Sequence, residues 1–150
     1  MKNRYFFIII GLFFFFFIVL FKGLKNPNVY IPELQKEKNL SRFEASDFYS
    51  NKKISSLDIL NDNNFYLINI WASWCLPCRE EHDYLIKLKE QNLIKLIGIN
   101  YKDDFKNAKK FLNDMGNPYS KILKDKNGTV SIQFGAYGVP ETFIIDKNKK

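Results

Sequence analysis

WASWCLPCREEH, Trp71 to His82, holds the only two cysteines of a 150-residue chain. Three readings of Cys75 and Cys78 compete: a structural staple, half of a metal site, and a working redox pair. Cysteines spaced C-x-x-C close a very short loop, and loop-closure stabilisation grows with loop length, so the bridge adds little as a staple. One C-x-x-C pair supplies two ligands where a tetrahedral zinc site needs four. His82 is the only histidine, about two helical turns beyond Cys75, and leaves open a copper-type site of Cys75, Cys78 and His82. The redox reading carries the fullest mechanism and is the expectation.

The residues around the pair place it. Phe65 to Ser73, FYLINIWAS, is a nearly continuous apolar run and predicts a strand buried on both faces. After Cys75 the period changes. Leu85 and Leu88 recur at helical spacing, and Glu80, Glu81 and Asp83 are expected in the first turn. Cys75 then stands where a strand ends and a helix begins, at the carboxyl edge of a sheet, where α/β proteins build their sites.

A helix N-terminus presents unpaired N–H groups and partial positive charge. Both stabilise a thiolate. Cys75 is therefore the expected attacking thiol, and Cys78, one turn inside, the thiol that resolves a mixed disulfide. Pro77 suits the first turn because the N–H it lacks has no helical partner there. Trp74 is expected to cover one side of the pair. Glu81, three residues after Cys78, shares its side of the helix. Its charge opposes thiolate formation, or its carboxylate accepts the Cys78 proton as a general base. A plain helix-terminal charge is the alternative.

The rest of the chain supplies the frame. Leu93 to Tyr101 predicts a second strand. Phe105, Ala108, Leu112 and Met115 lie on one face of a helix that ends at Gly116. Ile122 to Lys124 predicts a short strand, KDKNG a turn, and Glu141 to Asp146 a further strand. Asn39 to Leu60 is mixed and polar, with a short strand or turns at SRFEASDFYS. Strands alternating with helices imply a parallel core with helices on its faces. In AYGVPETF, Pro140 stands just ahead of the last strand, and Val139 before it is biased towards extended backbone.

Much of the phenylalanine is concentrated near the N-terminus. Tyr5 to Phe21 is a run of 17 residues without a charge, roughly 25 Å long as a helix and close to the thickness of a hydrocarbon core. The run is long for a signal peptide, and FKGLKNP offers no small-residue cleavage site. An uncleaved anchor is expected, with its N-terminus cytoplasmic and the globular part across the membrane. The formal charge is +7, but Lys2, Arg4, Lys22 and Lys25 carry four of those charges. The remaining excess is weak and mixed with acids such as Asp103, Asp104 and Asp114, which argues against nucleic-acid binding. The expected organisation is an anchor at 1–25, a proline-bearing linker at 26–38 and an α/β domain at 39–150.

Strand, W-C-x-x-C, helix and a late proline before a strand resemble the thioredoxin superfamily. Together WASWCLPCREEHDYL, GINYKDD, GNPY and GAYGVPETFIID resemble the membrane-anchored thioredoxin-like proteins of cytochrome c maturation (the DsbE/CcmG type), over roughly Pro32 to Asp146. The resemblance implies a thioredoxin-like sheet with flanking helices behind one transmembrane helix. It also implies a single-pass protein of the bacterial inner membrane with its reducing dithiol on the periplasmic side. The dithiol takes electrons from a membrane donor of the DsbD type. It passes them to apocytochrome c, or to a thiol-handling maturation protein, so that heme can be attached. By position, Cys75 is the nucleophile, Cys78 the resolving thiol and Pro140 a cis-proline facing them. Glu81 matches the family's acid near the active site, and Trp74, Pro77, Val139 and Glu141 line the substrate side. No cofactor or resident metal is implied. The family continues past FIID into another strand and a closing helix, whereas this chain stops at KNKK, so the expected fold lacks that C-terminal part. A general membrane-anchored periplasmic disulfide reductase and a copper-binding chaperone are the alternatives.

Overall fold

The computed structural model describes residues 2–25, 40, 42–62 and 64–149. The chain divides into two units, Met1–Lys36 and Glu37–Lys150. In the first, helix α1 spans Lys2–Lys25. Its Arg4–Leu24 stretch has a mean hydropathy of 2.7 and is long and apolar enough to cross a membrane, and its large apolar side chains are exposed. Such a helix, apolar on all sides, suits a membrane span. The expected linker at 26–38 lies outside the described residues.

The second unit is a mixed six-stranded sheet in the order β2-β1-β5-β4-β3-β6. Its elements are β1 (Glu44–Asp47), β2 (Lys53–Ser55), α2 (Ser56–Ile59), β3 (Tyr66–Trp71), α3 (Leu76–Glu90), β4 (Lys95–Tyr101), α4 (Phe105–Met115), β5 (Lys121–Asp125), α5 (Thr129–Gln133) and β6 (Glu141–Ile145). The central strands β3, β4 and β5 are parallel. β1 joins β5 antiparallel, and β6 joins β3 antiparallel. The parallel core expected from the alternation of elements is present, closed on both sides by antiparallel strands.

β3 is buried along its whole length, as its uninterrupted apolar run requires. Its side chains alternate between two cores. Leu67 and Trp71 join Leu85 of α3 and Phe111 and Leu112 of α4. Tyr66, Ile68 and Ile70 join Val130 of α5, Phe134 and Phe43. β4 lies close beneath the first core. At Gly98 a Cβ would come within 2.8 Å of the Trp71 indole nitrogen and 2.9 Å of the Tyr119 ring. Glycine thus lets those two rings stack across the strand, at 5.6 Å and 19°.

α4 begins at an Asp104 cap that accepts the N–H groups of Lys106 and Asn107, and stops at Gly116 with φ +86°. Glycine reaches that conformation without steric cost. α3 starts at Leu76, so Glu80, Glu81 and Asp83 do not fall in its first turn, which contains no acid. The expected first-turn acids therefore lie deeper in the helix, because Cys75 itself is the cap. β2, α2 and α5 have three to five residues each, too few for a hydrophobic period to mark them.

Candidate active site

Cys75 has extended backbone (φ −86°, ψ 111°) and caps α3, its Sγ accepting the backbone N–H of Cys78 at 3.1 Å. The two cysteines form a disulfide. Pro77 lies in the first turn of α3, where its missing N–H leaves nothing unpaired. Cys75 and Cys78 are both buried, so exposure does not distinguish them. Their places on the helix do: Sγ of Cys75 meets the N-terminal amides, and a sulfur that receives an N–H there is stabilised as a thiolate. Trp74 and Leu76 stand exposed on either side of Cys75.

The turn ahead of Cys75 is held from β4 and the segment after it. Asp103 Oδ2 accepts the backbone N–H of Ser73 at 2.5 Å, and Oδ1 accepts the Ser73 hydroxyl at 2.8 Å. Asn100 Nδ2 donates to Oδ2 at 2.9 Å. The Trp74 indole donates to the Lys102 carbonyl at 3.2 Å. The NYKDD segment therefore grips the WASW turn at successive residues. Asp103 and Asn100 were not picked out from the sequence as individual contributors. Their only signal was membership of a segment carrying the resemblance.

A buried polar chain centred on β3 also escapes sequence reading. Asn69 is fully buried in the middle of β3. Its Nδ2 donates to Glu81 Oε1 at 2.9 Å and to Thr142 Oγ1 at 3.0 Å. Its Oδ1 accepts from the Tyr119 hydroxyl at 2.7 Å. Burial, and after it the Glu81 charge, push the Tyr119 hydroxyl well above its ordinary range. Tyr119 is thus a fixed donor, and Asn69 is oriented by it. Glu81, half-buried, is held by β3 through Asn69.

His82 is not brought into this site as a ligand. It is buried, with Nε2 2.9 Å from the Gly116 carbonyl oxygen and its ring edge-on to Phe111. Among the described residues no group of three His, Cys, Asp or Glu side chains is placed to hold a metal ion. The copper site of Cys75, Cys78 and His82 is therefore corrected. The histidine is a core side chain that satisfies the end of α4.

The last wall comes from the loop before β6. The Val139–Pro140 peptide bond is cis, and Val139 packs against both core clusters, including the one that contains Cys75 and Cys78. Glu141, the first residue of β6, lies opposite Ile70, the penultimate residue of β3. Pro140 and the end of β3 that leads into Cys75 thus share one end of the sheet. Glu141 Oε1 accepts the backbone N–H groups of Tyr137 and Gly138, at 2.5 and 2.8 Å.

The Redoxin family model matches residues 28–150. The thiol:disulfide interchange protein DsbE of Pseudomonas fluorescens is 34% identical over 97% of this chain and 80% of its own length. The chain is a DsbE-type member of the Redoxin family. Other DsbE relatives are 40% identical: that of Haemophilus influenzae over 73% of this chain and 56% of its own length, and that of Escherichia coli K12 over 74% and 60%. The chain therefore matches little more than half the length of these two relatives. The crystal structure of a DsbF homologue from Corynebacterium diphtheriae superposes with a TM-score of 0.64, at 27% identity over 76% of this chain and 74% of that one. A thiol-disulfide oxidoreductase from Bacteroides fragilis superposes with a TM-score of 0.65, at 21% identity over 75% of this chain and 86% of that one, a likeness of fold. The family's thioredoxin-like architecture is the one observed here, a mixed sheet with helices on its faces and C-x-x-C at the start of α3.

Proposed function

We propose that this chain is a membrane-anchored thiol-disulfide reductase. It reduces disulfides in apocytochrome c, directly or through a partner thiol protein, so that heme can be attached. Residues 1–25 anchor it in the bacterial inner membrane, 26–38 are the linker, and 39–150 form the catalytic domain on the periplasmic side. The observation that carries the redox chemistry is the Cys75 sulfur, bonded to Cys78 while it accepts an N-terminal N–H of α3. DsbE relatives and the apolar α1 support the cellular role.

In the reduced protein the Cys75 thiolate attacks one sulfur of the substrate disulfide. The substrate S–S bond breaks, its other sulfur leaves as a thiolate, and a mixed disulfide joins Cys75 to substrate. Cys78 then gives its proton to Glu81 and attacks the Cys75 sulfur. The second substrate sulfur is released and the Cys75–Cys78 disulfide forms. The substrate has gained two electrons and the enzyme has lost two, which a membrane dithiol donor of the DsbD type restores. In this reading Trp74, Pro77, Val139 and Glu141 lie on the substrate side, and Pro140, whose bond to Val139 is cis, faces the cysteines. The periplasm is kept oxidising, so a reductant there depends on recharging by a selective donor.

The test is reduction of an oxidised C-x-x-C-H peptide by the dithiol form, together with restoration of cytochrome c assembly in cells lacking their own DsbE-type protein. Peptide reduction without restored assembly points to a general disulfide reductase. Failure of both rejects the reading.

A further inference from the structure

The Glu141 carboxylate turns back into its own loop. One oxygen, Oε1, receives the N–H of Tyr137 at 2.5 Å and that of Gly138 at 2.8 Å. Bonds from N–H to a carboxylate are shorter and stronger than neutral ones. These two amides lie in the stretch between α5, which ends at Gln133, and β6. Val139 follows them directly and packs on both core clusters, one of which contains the two cysteines. Whatever shapes the backbone at Tyr137 and Gly138 therefore shapes the lead into Val139–Pro140, at the end of the sheet from which β3 runs on to Cys75. Gly138 has open space where a Cβ would sit, so side-chain packing at that position does not hold the loop.

We propose that Glu141 is a positioning residue: its carboxylate clamps the Tyr137 and Gly138 amides, so that the loop leading to Pro140 keeps one shape beside the Cys75–Cys78 pair. This rests on the thiol-disulfide reading above and narrows it. The position that follows the proline acts on the protein's own backbone, and the role of its carboxylate is to accept hydrogen bonds, not to supply charge to a basic substrate.

Gln retains an oxygen acceptor at the same reach and removes the charge, whereas Ala removes both. The experiment uses the full-length chain in detergent micelles, with an oxidised C-x-x-C-H peptide as the probe. In the E141A variant the peptide-reduction rate should fall about tenfold, while E141Q should stay within about threefold of the unmodified chain. Hydrogen exchange at the Tyr137 and Gly138 amides, read by NMR, should be slow in the unmodified chain and in E141Q, and fast in E141A. An E141Q rate as low as that of E141A would show that charge is what matters and overturn the proposal. So would an E141A rate equal to that of the unmodified chain, or fast exchange of both amides in the unmodified chain. If E141A fails to fold, the amides and rates of the other two proteins still decide. If the unmodified chain reduces no peptide, the functional reading falls, and amide protection alone decides whether the clamp exists.

Discussion

The Asp103 carboxylate receives both the backbone N–H and the hydroxyl of Ser73, two residues before Cys75 and 30 residues away in sequence. One side chain thereby fixes the turn that delivers the cysteine to the start of α3. Ser73 is buried, so water does not readily replace the lost acceptor. Asp103→Ala should cost about 1–3 kcal/mol of stability, visible as a lower thermal midpoint. It should also slow alkylation of Cys75 in the reduced protein, because the cap geometry loosens. An unchanged melt would show that the turn holds itself.

Cys78→Ser should accumulate a mixed disulfide through Cys75, because the attacking thiol remains and the resolving one is gone. Cys75→Ser should trap little. In the reduced chain, alkylation should label Cys75 before Cys78, since only Cys75 caps the helix. Non-reducing gels and peptide mapping read both results. Trapping through Cys78 would reverse the assignment.

Glu81→Gln removes a negative charge three residues after Cys78 on α3 while keeping an oxygen acceptor for Asn69. With less repulsion the thiolate of a nearby cysteine should form more readily. Resolution of mixed disulfides should slow if the carboxylate takes the Cys78 proton. Thiolate absorbance against pH and the decay of a trapped intermediate measure the two effects. No change in either would leave Glu81 only as the structural acceptor for Asn69.

Asn69→Leu should be among the more damaging single changes in the sheet. It keeps the volume but leaves the Tyr119 hydroxyl without its acceptor and Glu81 and Thr142 without their donor. A loss of about 2–3 kcal/mol is expected, measured by denaturant unfolding. A near-neutral change would mean that water enters and replaces the network.

Two carboxylates predict the acid side of the stability profile. At Asp47, burial acts to raise the pKa, but hydrogen bonds from Lys121 and Ser50 outweigh it and hold the group well below the usual carboxylate range. At Asp62, hydrogen bonds from Lys95 and then Tyr66 lower it to about 2. Both folded values are depressed, so both groups contribute stability that is fully present above their unfolded value of 3.8 and lost as pH falls through the folded value. The thermal midpoint should therefore drop steeply below about pH 4. Asp47→Asn should flatten that fall while lowering the midpoint at neutral pH. An unchanged slope would show that the Lys121 bond does not survive in solution.

What could be read without coordinates was local. Cys75 caps α3 through an amide three residues away, so the order of the two cysteines on the helix follows from strand, spacing and Pro77 alone. Gly116 ends α4 for a reason internal to glycine. The apolar run of β3 states its surroundings directly, two cores, and that of α1 is long and apolar enough to cross a membrane. The short β2, α2 and α5 carried no period to read. The functional polar residues were hidden because their meaning is non-local. Asn69 sits in an apolar run and meets groups 12, 50 and 73 residues away. His82, two turns from Cys75, is left open as a ligand by spacing alone, and the end of α4 meets it at Gly116 instead. The Val139–Pro140 bond was expected cis from resemblance only, since sequence-local preference favours trans and the surrounding fold decides. Short-range geometry belongs to the chain itself. Which buried donor finds which acceptor is chosen only when the sheet brings distant strands into register, because an unpaired polar group inside the core costs too much to remain.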